Sequence, residues 1–295
     1  MTSPTTAARP APKIFFITGV SSGFGRAFAQ VFLAAGHTVV GTVRKPDDDE
    51  QFEELADGTS GRALTRVLDV TDDDAVLATV ADVEESVGPI DVVIANAGYG
   101  HEGVVEESPM SELRAQFDVN VYGAVATLKA ALPYMRRRRH GHLMAVTSMG
   151  GLITVPGLAY YQGSKFALEG ILDTLAKEVR SFGIAVTAIA PGSFRTDWAG
   201  RSMVRADRSI TDYDTLMEPV RRNRLAASGN QLGNPEKAAE AVLSILDTPT
   251  PPVHLLLGSD ALRLVTAGRG AVDAEIEQWS QLTRSTDFPE GAQIA

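Results

Sequence analysis

The sequence predicts an α/β protein, doubly wound: a single seven-stranded parallel sheet with helices on both faces. Three observations predict it. Short β-branched and apolar runs alternate with segments that are apolar at helical spacing along the whole chain. The runs are of the buried type that a sheet covered on both faces requires. Gly19, Arg44, Asp69, Asn96, Ser148 and Pro191 each fall at or just past the carboxyl end of a run, where an open parallel sheet binds ligands. Six such residues at six strand ends imply one cleft.

Residues 1–12 are Pro, Thr, Ala and Ser around one Arg and read as a disordered tail, not a signal peptide. From 13 to 295 a single domain is expected. Ile14 to Thr18 is a strand, and Arg26 to Ala35 a helix stopped at Gly36. Thr38 to Val43 is a second strand, followed by Arg44-Lys45-Pro46, acidic residues, and a short helix over Phe52 to Ala56. Leu64 to Leu68 is the third strand, and Thr71 caps a helix that Gly88-Pro89 ends. Asp91 to Ala95 closes on Asn96-Ala97-Gly98, and a long helical region from Met110 to Met135 contains Asn120. His142 to Thr147 leads into Ser148, a glycine-rich loop, and a helix opening near Tyr160. Ile184 to Ala190 is the sixth strand; Ser193 to Gly233 is polar, without strand signal. Asn234 followed by Pro235 starts another helix. Val253 to Leu257 is the seventh strand, and the remainder to Arg284 reads as helical.

Composition excludes several chemistries. The 295 residues are 44% hydrophobic and carry a formal net charge of −10, which disfavours nucleic acid or anionic membrane as partner. Without cysteine there is no disulfide, thiolate metal site or Cys nucleophile. The five histidines make no i,i+4 pair, so no metal site is expected. No apolar run approaches a membrane span, and a cytoplasmic enzyme is the expectation. Arg136 to Arg139 reads as the solvated last turn of a helix.

The reactive stretch is Ser148 to Lys165. Tyr161 and Lys165 stand four apart and share a helix face, which the strand end carrying Ser148 can meet across the loop. A free Tyr, with a pKa of about 10, is a poor base near neutrality. A Lys cation and an oxidised nicotinamide ring would favour the phenolate; reaching about 7 takes roughly 4 kcal/mol of differential interaction. Ser148 would hold the substrate oxygen while Tyr161 moves its proton. Gly19-x-x-x-Gly23-x-Gly25 opens the first helix, where backbone N–H groups can approach a pyrophosphate. Arg44 at the second strand end, with Ser22 as a hydroxyl donor, favours the 2′-phosphate of NADP(H) over NAD(H). The competing reading folds Asp47 onto the ribose and leaves Arg44 solvated.

Assembled, these residues resemble a short-chain dehydrogenase/reductase of the Rossmann type over Ile14 to Leu257. Thr18-Gly-Val-Ser-Ser-Gly-Phe-Gly25 fits that family's T-G-x-x-x-G-x-G turn, Asn96-Ala97-Gly98 its N-A-G element, and Tyr161-Gln-Gly-Ser-Lys165 its Y-x-x-x-K. Tyr160 is displaced as a rival because Ser164, not Lys, follows it by four. The resemblance implies Asn120, Ser148, Tyr161 and Lys165 as catalytic residues. It implies Gly19, Ser21, Ser22, Gly23, Phe24, Gly25, Arg44, Asp69, Val70, Asn96, Ala97, Gly98, Tyr161, Lys165, Pro191, Gly192 and Thr196 as cofactor contacts. The Arg44 variant is similar to the NADP-preferring branches, including hydroxysteroid dehydrogenase and carbonyl reductase types.

The activity this resemblance implies is hydride transfer between NADP(H) and a carbonyl or alcohol substrate. The alternatives are an NADP(H)-binding redox sensor without turnover, or an epimerase or dehydratase on the same scaffold. Residues 193–233, through Trp198, Met203, Tyr213, Leu216 and Met217, are expected to form a substrate lid. His101 is read as a solvated loop residue. Relatives pair through the helices of Asn120 and Tyr161, which implies a homodimer or homotetramer.

Overall fold

The computed structural model describes residues 11–288. Most of the expected tail lies outside the described residues, as does the side chain of Asp47. The elements in chain order are β1 (Ile14–Thr18), α1 (Gly23–Ala34), β2 (Thr38–Val43), α2 (Asp49–Glu53), β3 (Arg62–Val67), α3 (Asp73–Ser86), β4 (Val92–Ala95), β5 (Gly100–Glu102), α4 (Met110–Phe117), α5 (Ala124–Arg138), β6 (Gly141–Val146), α6 (Ala159–Val179), β7 (Ile184–Pro191), β8 (Met203–Arg205), α7 (Asp214–Ala227), α8 (Pro235–Ile245), β9 (His254–Leu257), α9 (Ser259–Gln278) and α10 (Ser280–Arg284).

Seven strands form one parallel sheet in the order β3-β2-β1-β4-β6-β7-β9, confirming the doubly wound α/β fold. Phe15 lies beside Val39 of β2 on one flank and Val92 of β4 on the other. The chain winds outward from β1 to β3 and then returns to β4, so the direction reverses between β1 and β4. Loops leaving those two strands diverge and open a crevice at their carboxyl ends.

The period of two in a strand distributes side chains to both faces. Phe15 and Ile17 join Phe28, Phe32 and Leu33 of α1 and Ala239 and Val242 of α8 in one core. Phe16 joins Val76, Val80 and Val83 of α3, Leu128 and Met135 of α5, and Leu168 and Leu172 of α6 in the other. On α1, Phe24, Phe28 and Phe32 recur at i,i+4, their neighbouring ring centroids 5.7 and 6.0 Å apart. Phe24 also meets Phe194 at 5.1 Å, so this aromatic row ties the start of α1 to the segment after β7.

Several expectations need correction. The third strand lies at Arg62–Val67, not Leu64 to Leu68. As an edge strand it is only partly buried, and its polar residues hid its start. The α3 cap is Asp72, whose carboxylate accepts from Ala75 N at 2.9 Å. Thr71 is instead held by Asp69 through both its N–H and its hydroxyl. The helical region from Met110 is broken by a π-helical turn at Asp118–Gly123. The Arg block does end α5, yet Arg138 is not simply solvated: it pairs with Glu84 at 2.6 Å and bonds the Ile90 carbonyl. Residues 193–233 contain β8, which pairs with β5 in a small parallel sheet, and α7. Three-residue strands carry too little periodicity to be read. His101, on β5, is 1% exposed and stacks on Tyr160 at 5.0 Å. Its neighbour Glu102, also buried, faces Arg224 at 2.7 Å and Arg221 at 3.2 Å, joining α7 to β5.

His142 at the start of β6 is buried and within 2.8 Å of the Thr187 hydroxyl. Thr187 gives its proton to Pro252 O, so the imidazole donates to Thr187 through Nε2–H and is neutral. Burial pushes its pKa from 6.5 down to about 4. The contribution is full above pH 6.5, where neither state holds the extra proton. Between 6.5 and about 4 the unfolded chain takes up a proton that the folded chain refuses, so stability falls as pH falls. Urea unfolding of His142→Gln is expected to remove roughly 3 kcal/mol of the decline across this window. Parallel pH dependences in the two proteins would contradict it.

Candidate active site

The crevice begins where β1 and β4 end. The Thr18 hydroxyl accepts from the N–H groups of Asn96 and Ala97, each at 3.0 Å. In return the Asn96 amide donates to the carbonyls of Thr18 and Gly19, each at 2.9 Å. The two loops are therefore stitched together from both sides. Gly19 has φ +72°, and a side chain there would press on Ala97 Cα at 3.1 Å. A Cβ on Gly25 would press into the Gly19 carbonyl and come within 2.6 Å of Asn96 Nδ2. Glycine at Gly25 thus serves close packing, whereas Gly19 and Gly23 serve a left-handed turn.

The 148–165 stretch folds as its spacing predicts. Ser148 leaves β6 extended and accepts from Gly150 N at 3.0 Å. Gln162 ties the intervening loop to α6, accepting from Val155 N and donating to Ile153 O. Tyr161 is 7% exposed, and the Ser148 hydroxyl lies near enough to its phenol to favour the ionised form. The buried Lys165 donates to the Val146 carbonyl at 2.8 Å, its Nζ 5.9 Å from the Tyr161 ring centroid. Tyr160 is engaged elsewhere, donating to Ser108 O at 2.7 Å.

Asn120 lies in the π-helical turn and is 1% exposed. Its amide clamps Tyr99, accepting from the N–H at 3.1 Å and donating to the carbonyl at 3.0 Å. It also donates to Ser164 Oγ at 3.1 Å. A Cβ on Gly98 would lie 3.0 Å from Asn120 Oδ1 and 3.6 Å from Lys165 Nζ. The last residue of Asn96-Ala97-Gly98 is therefore the floor on which Asn120 and Lys165 meet.

Burial pushes the Tyr161 phenol up to about 12, only partly offset by the nearby Ser148 hydroxyl. Burial likewise drives Lys165 down to about 8, against the opposing pull of Glu169. The chain alone therefore leaves the phenol protonated; the expected acidic phenol also required the charge of an oxidised nicotinamide ring. Taking both groups out of water favours their neutral forms, and at this separation the ammonium does not outweigh that cost.

A cavity of about 900 Å³ runs along the crevice. Gly19, Ser21, Ser22, Gly23, Phe24, Arg44, Asp69, Val70, Asn96, Ala97, Gly98, Ser148, Tyr161, Lys165, Pro191, Gly192 and Thr196 all line it. Gly25 and Asn120 stand behind this surface, the first as a packing position and the second as a clamp. Trp198 borders the cavity and tilts over Tyr161 at 5.0 Å between centroids. Of the other residues expected near the substrate, Met203 and Met217 are buried, Leu216 is exposed and Tyr213 bonds Glu106. Sequence reasoning missed Ile153, Val155, Leu158, Val204 and Arg224, which also line the cavity. Proximity to Ser148 was the only available signal for the first three.

Residues 13–205 match the family model for short chain dehydrogenases. The chain is 39% identical to oxidoreductase BOA17 of Botryotinia fuckeliana over 272 residues, which are 92% of this chain and 98% of that protein. The crystal structure of a short-chain dehydrogenase from Streptomyces avermitilis superposes with a TM-score of 0.86 at 36% identity, covering 94% of this chain and 99% of that one. An alcohol dehydrogenase from Thermococcus sibiricus, solved with 5-hydroxy-NADP, has a TM-score of 0.69 at 26% identity, with 83% and 95% covered. The chain belongs to the short-chain dehydrogenase/reductase family. It is an oxidoreductase of that family, whose members use NAD(P).

The reciprocal stitching makes a prediction. Asn96→Ala leaves the Thr18 and Gly19 carbonyls without their donor and should cost about 1–3 kcal/mol in urea unfolding. Asn96→Asp, which sets a carboxylate against two carbonyl oxygens, should cost more. Midpoints equal to wild type in both variants would show that the stitching is dispensable.

Proposed function

We propose that the protein reduces a carbonyl, or oxidises the corresponding alcohol, using NADP(H), with Tyr161 as general acid/base. The observation that carries this is the convergence of Ser148, Tyr161 and Lys165 on the glycine-lined cavity. When bound, the dinucleotide supplies or accepts the hydride. The residues fit it. Gly19 and Gly23 give a tight turn at the start of α1, where N–H groups and the helix dipole favour phosphate. Arg44 and Lys45 stand exposed past the end of β2, where a 2′-phosphate would be met. Asp69 carries a lowered pKa from its hydrogen bonds to Thr71, and its carboxylate is set to accept from an adenine amine. Pro191, Gly192 and Thr196 line the same cavity.

Each residue then has a task. Ser148 holds the substrate oxygen and orients the phenol beside it. With a pKa near 12 in the chain alone, Tyr161 keeps its proton at neutral pH and is poised to donate it to a developing alkoxide. The Lys165 ammonium stabilises the phenolate left behind. Asn120 sets the floor beneath Lys165 by clamping Tyr99. Trp198, Ile153, Val155 and Leu158 give the cavity an apolar wall, which suits a hydrophobic carbonyl or alcohol. Residues 193–233 act as the lid, fastened to β5 by Glu102 with Arg221 and Arg224.

We place self-association, as a homodimer or homotetramer, on the helices of Asn120 and Tyr161, the second of which exposes Phe166 and Ile171, and the protein in the cytoplasm. No helix among the described residues is long and apolar enough to cross a membrane.

Tyr161→Phe should lower turnover with NADPH by at least ~10²–10⁴-fold, the range of a positioned proton donor, while NADPH still binds by fluorescence titration. Full activity in that variant removes Tyr161 from the role. Wild type should show a higher kcat/KM with NADPH than with NADH, and Arg44→Ala should erase the difference. A wild-type preference for NADH would refute the NADP(H) assignment.

A further inference from the structure

The proposed mechanism leaves one buried carboxylate unused. Glu169 lies one turn beyond Lys165 on α6 and is 5% exposed. Its Oε1 accepts from the Thr147 hydroxyl at 2.5 Å, and its Oε2 meets His254 Nδ1 at 2.9 Å. Thr147 separates the two residues that matter most: Val146, whose carbonyl takes the Lys165 ammonium, and Ser148. Its own N–H is bonded to Ile189 O of β7 at 2.7 Å. Glu169 is packed in place, since a Cβ on Gly151 would come within 2.9 Å of its Cγ.

The charges around it are few. On α6 they are Lys165 on one side and, a turn further on, Asp173, which is paired with Lys177 at 2.7 Å. From β9 comes His254, half-exposed and 3.8 Å from Asp173 through Nε2. The end of β6 and the Met149–Gly151 turn contribute only the Thr147 hydroxyl. A buried carboxylate is costly unless its lone pairs are met and an opposite charge is near. Here the opposite charge is the Lys165 ammonium, which Glu169 steadies against burial.

We propose that Glu169 is a positioning residue that keeps Lys165 in its ammonium form and, through Thr147, fixes the strand end carrying Ser148, with His254 coupling that carboxylate to solvent. The proposal rests on the roles proposed for Tyr161 and Lys165. Glu169 touches neither cofactor nor substrate. It acts on the proton of a neighbour and on the direction of a strand.

The test is the pH profile of kcat/KM for carbonyl reduction by the full chain. Burial places the Lys165 transition at about 8. Without the carboxylate the ammonium is lost at lower pH, so Glu169→Gln should move the alkaline limb toward acid by roughly one unit or more. Thr147→Val keeps the charge but loses the brace, and should lower kcat at every pH with the limb in place. An alkaline limb unmoved in Glu169→Gln overturns the proposal. If Tyr161→Phe is inactive at the same time, only this proposal fails; if Tyr161→Phe is active, the parent reading fails. A measurement on a safer variant covers the case in which Glu169→Gln does not fold. In ¹³C-lysine-labelled protein, the Lys165 signal, assigned through Lys165→Arg, should move in His254→Gln, which removes the contact to Glu169. A signal indifferent to His254→Gln overturns the coupling.

Discussion

Everything at this site depends on holding an ammonium inside the protein. Lys165 is buried among strand ends and helix, where an unpaired cation would lose its proton. Its bond to the Val146 carbonyl meets one of its donors and fixes its direction. That carbonyl is free to serve because β6 ends there, and the next residues leave the ladder for the Ser148 turn. The same strand end thus anchors the cation and presents the hydroxyl. A parallel sheet makes this possible, since its carboxyl ends all emerge on one side and α6 can run across them.

The rest of the molecule reads as support for that point. The crevice opens where β1 and β4 part, and the Thr18–Asn96 exchange keeps the parted loops at fixed distance. The π-helical turn brings Asn120 inward between α4 and α5 and lets it grip both backbone groups of Tyr99. Such a turn costs regular helix geometry and recurs at functional positions. Further out, the Glu102 arginine pair ties α7 to β5, so the segment carrying Trp198 and Val204 is anchored at the protein's interior.

How far the sequence spoke depended on burial. β1 and β2 were readable to the residue because both faces are covered, so the apolar run and the strand coincide. β3 slipped by two residues at an edge, and β5 and β8 went unread because three residues carry no period. Ser148, Tyr161 and Lys165 were legible as neighbours on one cavity, since one strand, one loop and one helix join them. His101 was misread as solvated, because its burial comes from β8 and Tyr160, elements remote in sequence. Glu169 and His254 are 85 residues apart, and only the β7–β9 pairing brings them together. The burial that raises the phenol's pKa in the chain alone was not legible, because spacing shows which charges are close but not how much water has been removed.

The central claim is that Lys165 governs the proton on Tyr161 once the dinucleotide is in place. Ultraviolet difference titration of phenolate, with the Tyr161→Phe spectrum subtracted, measures this directly. Addition of NADP⁺ should lower the Tyr161 transition well below its value of about 12 in the chain alone, and Lys165→Met should abolish most of that drop. Identical transitions in wild type and Lys165→Met, with NADP⁺ bound to both, would contradict the account.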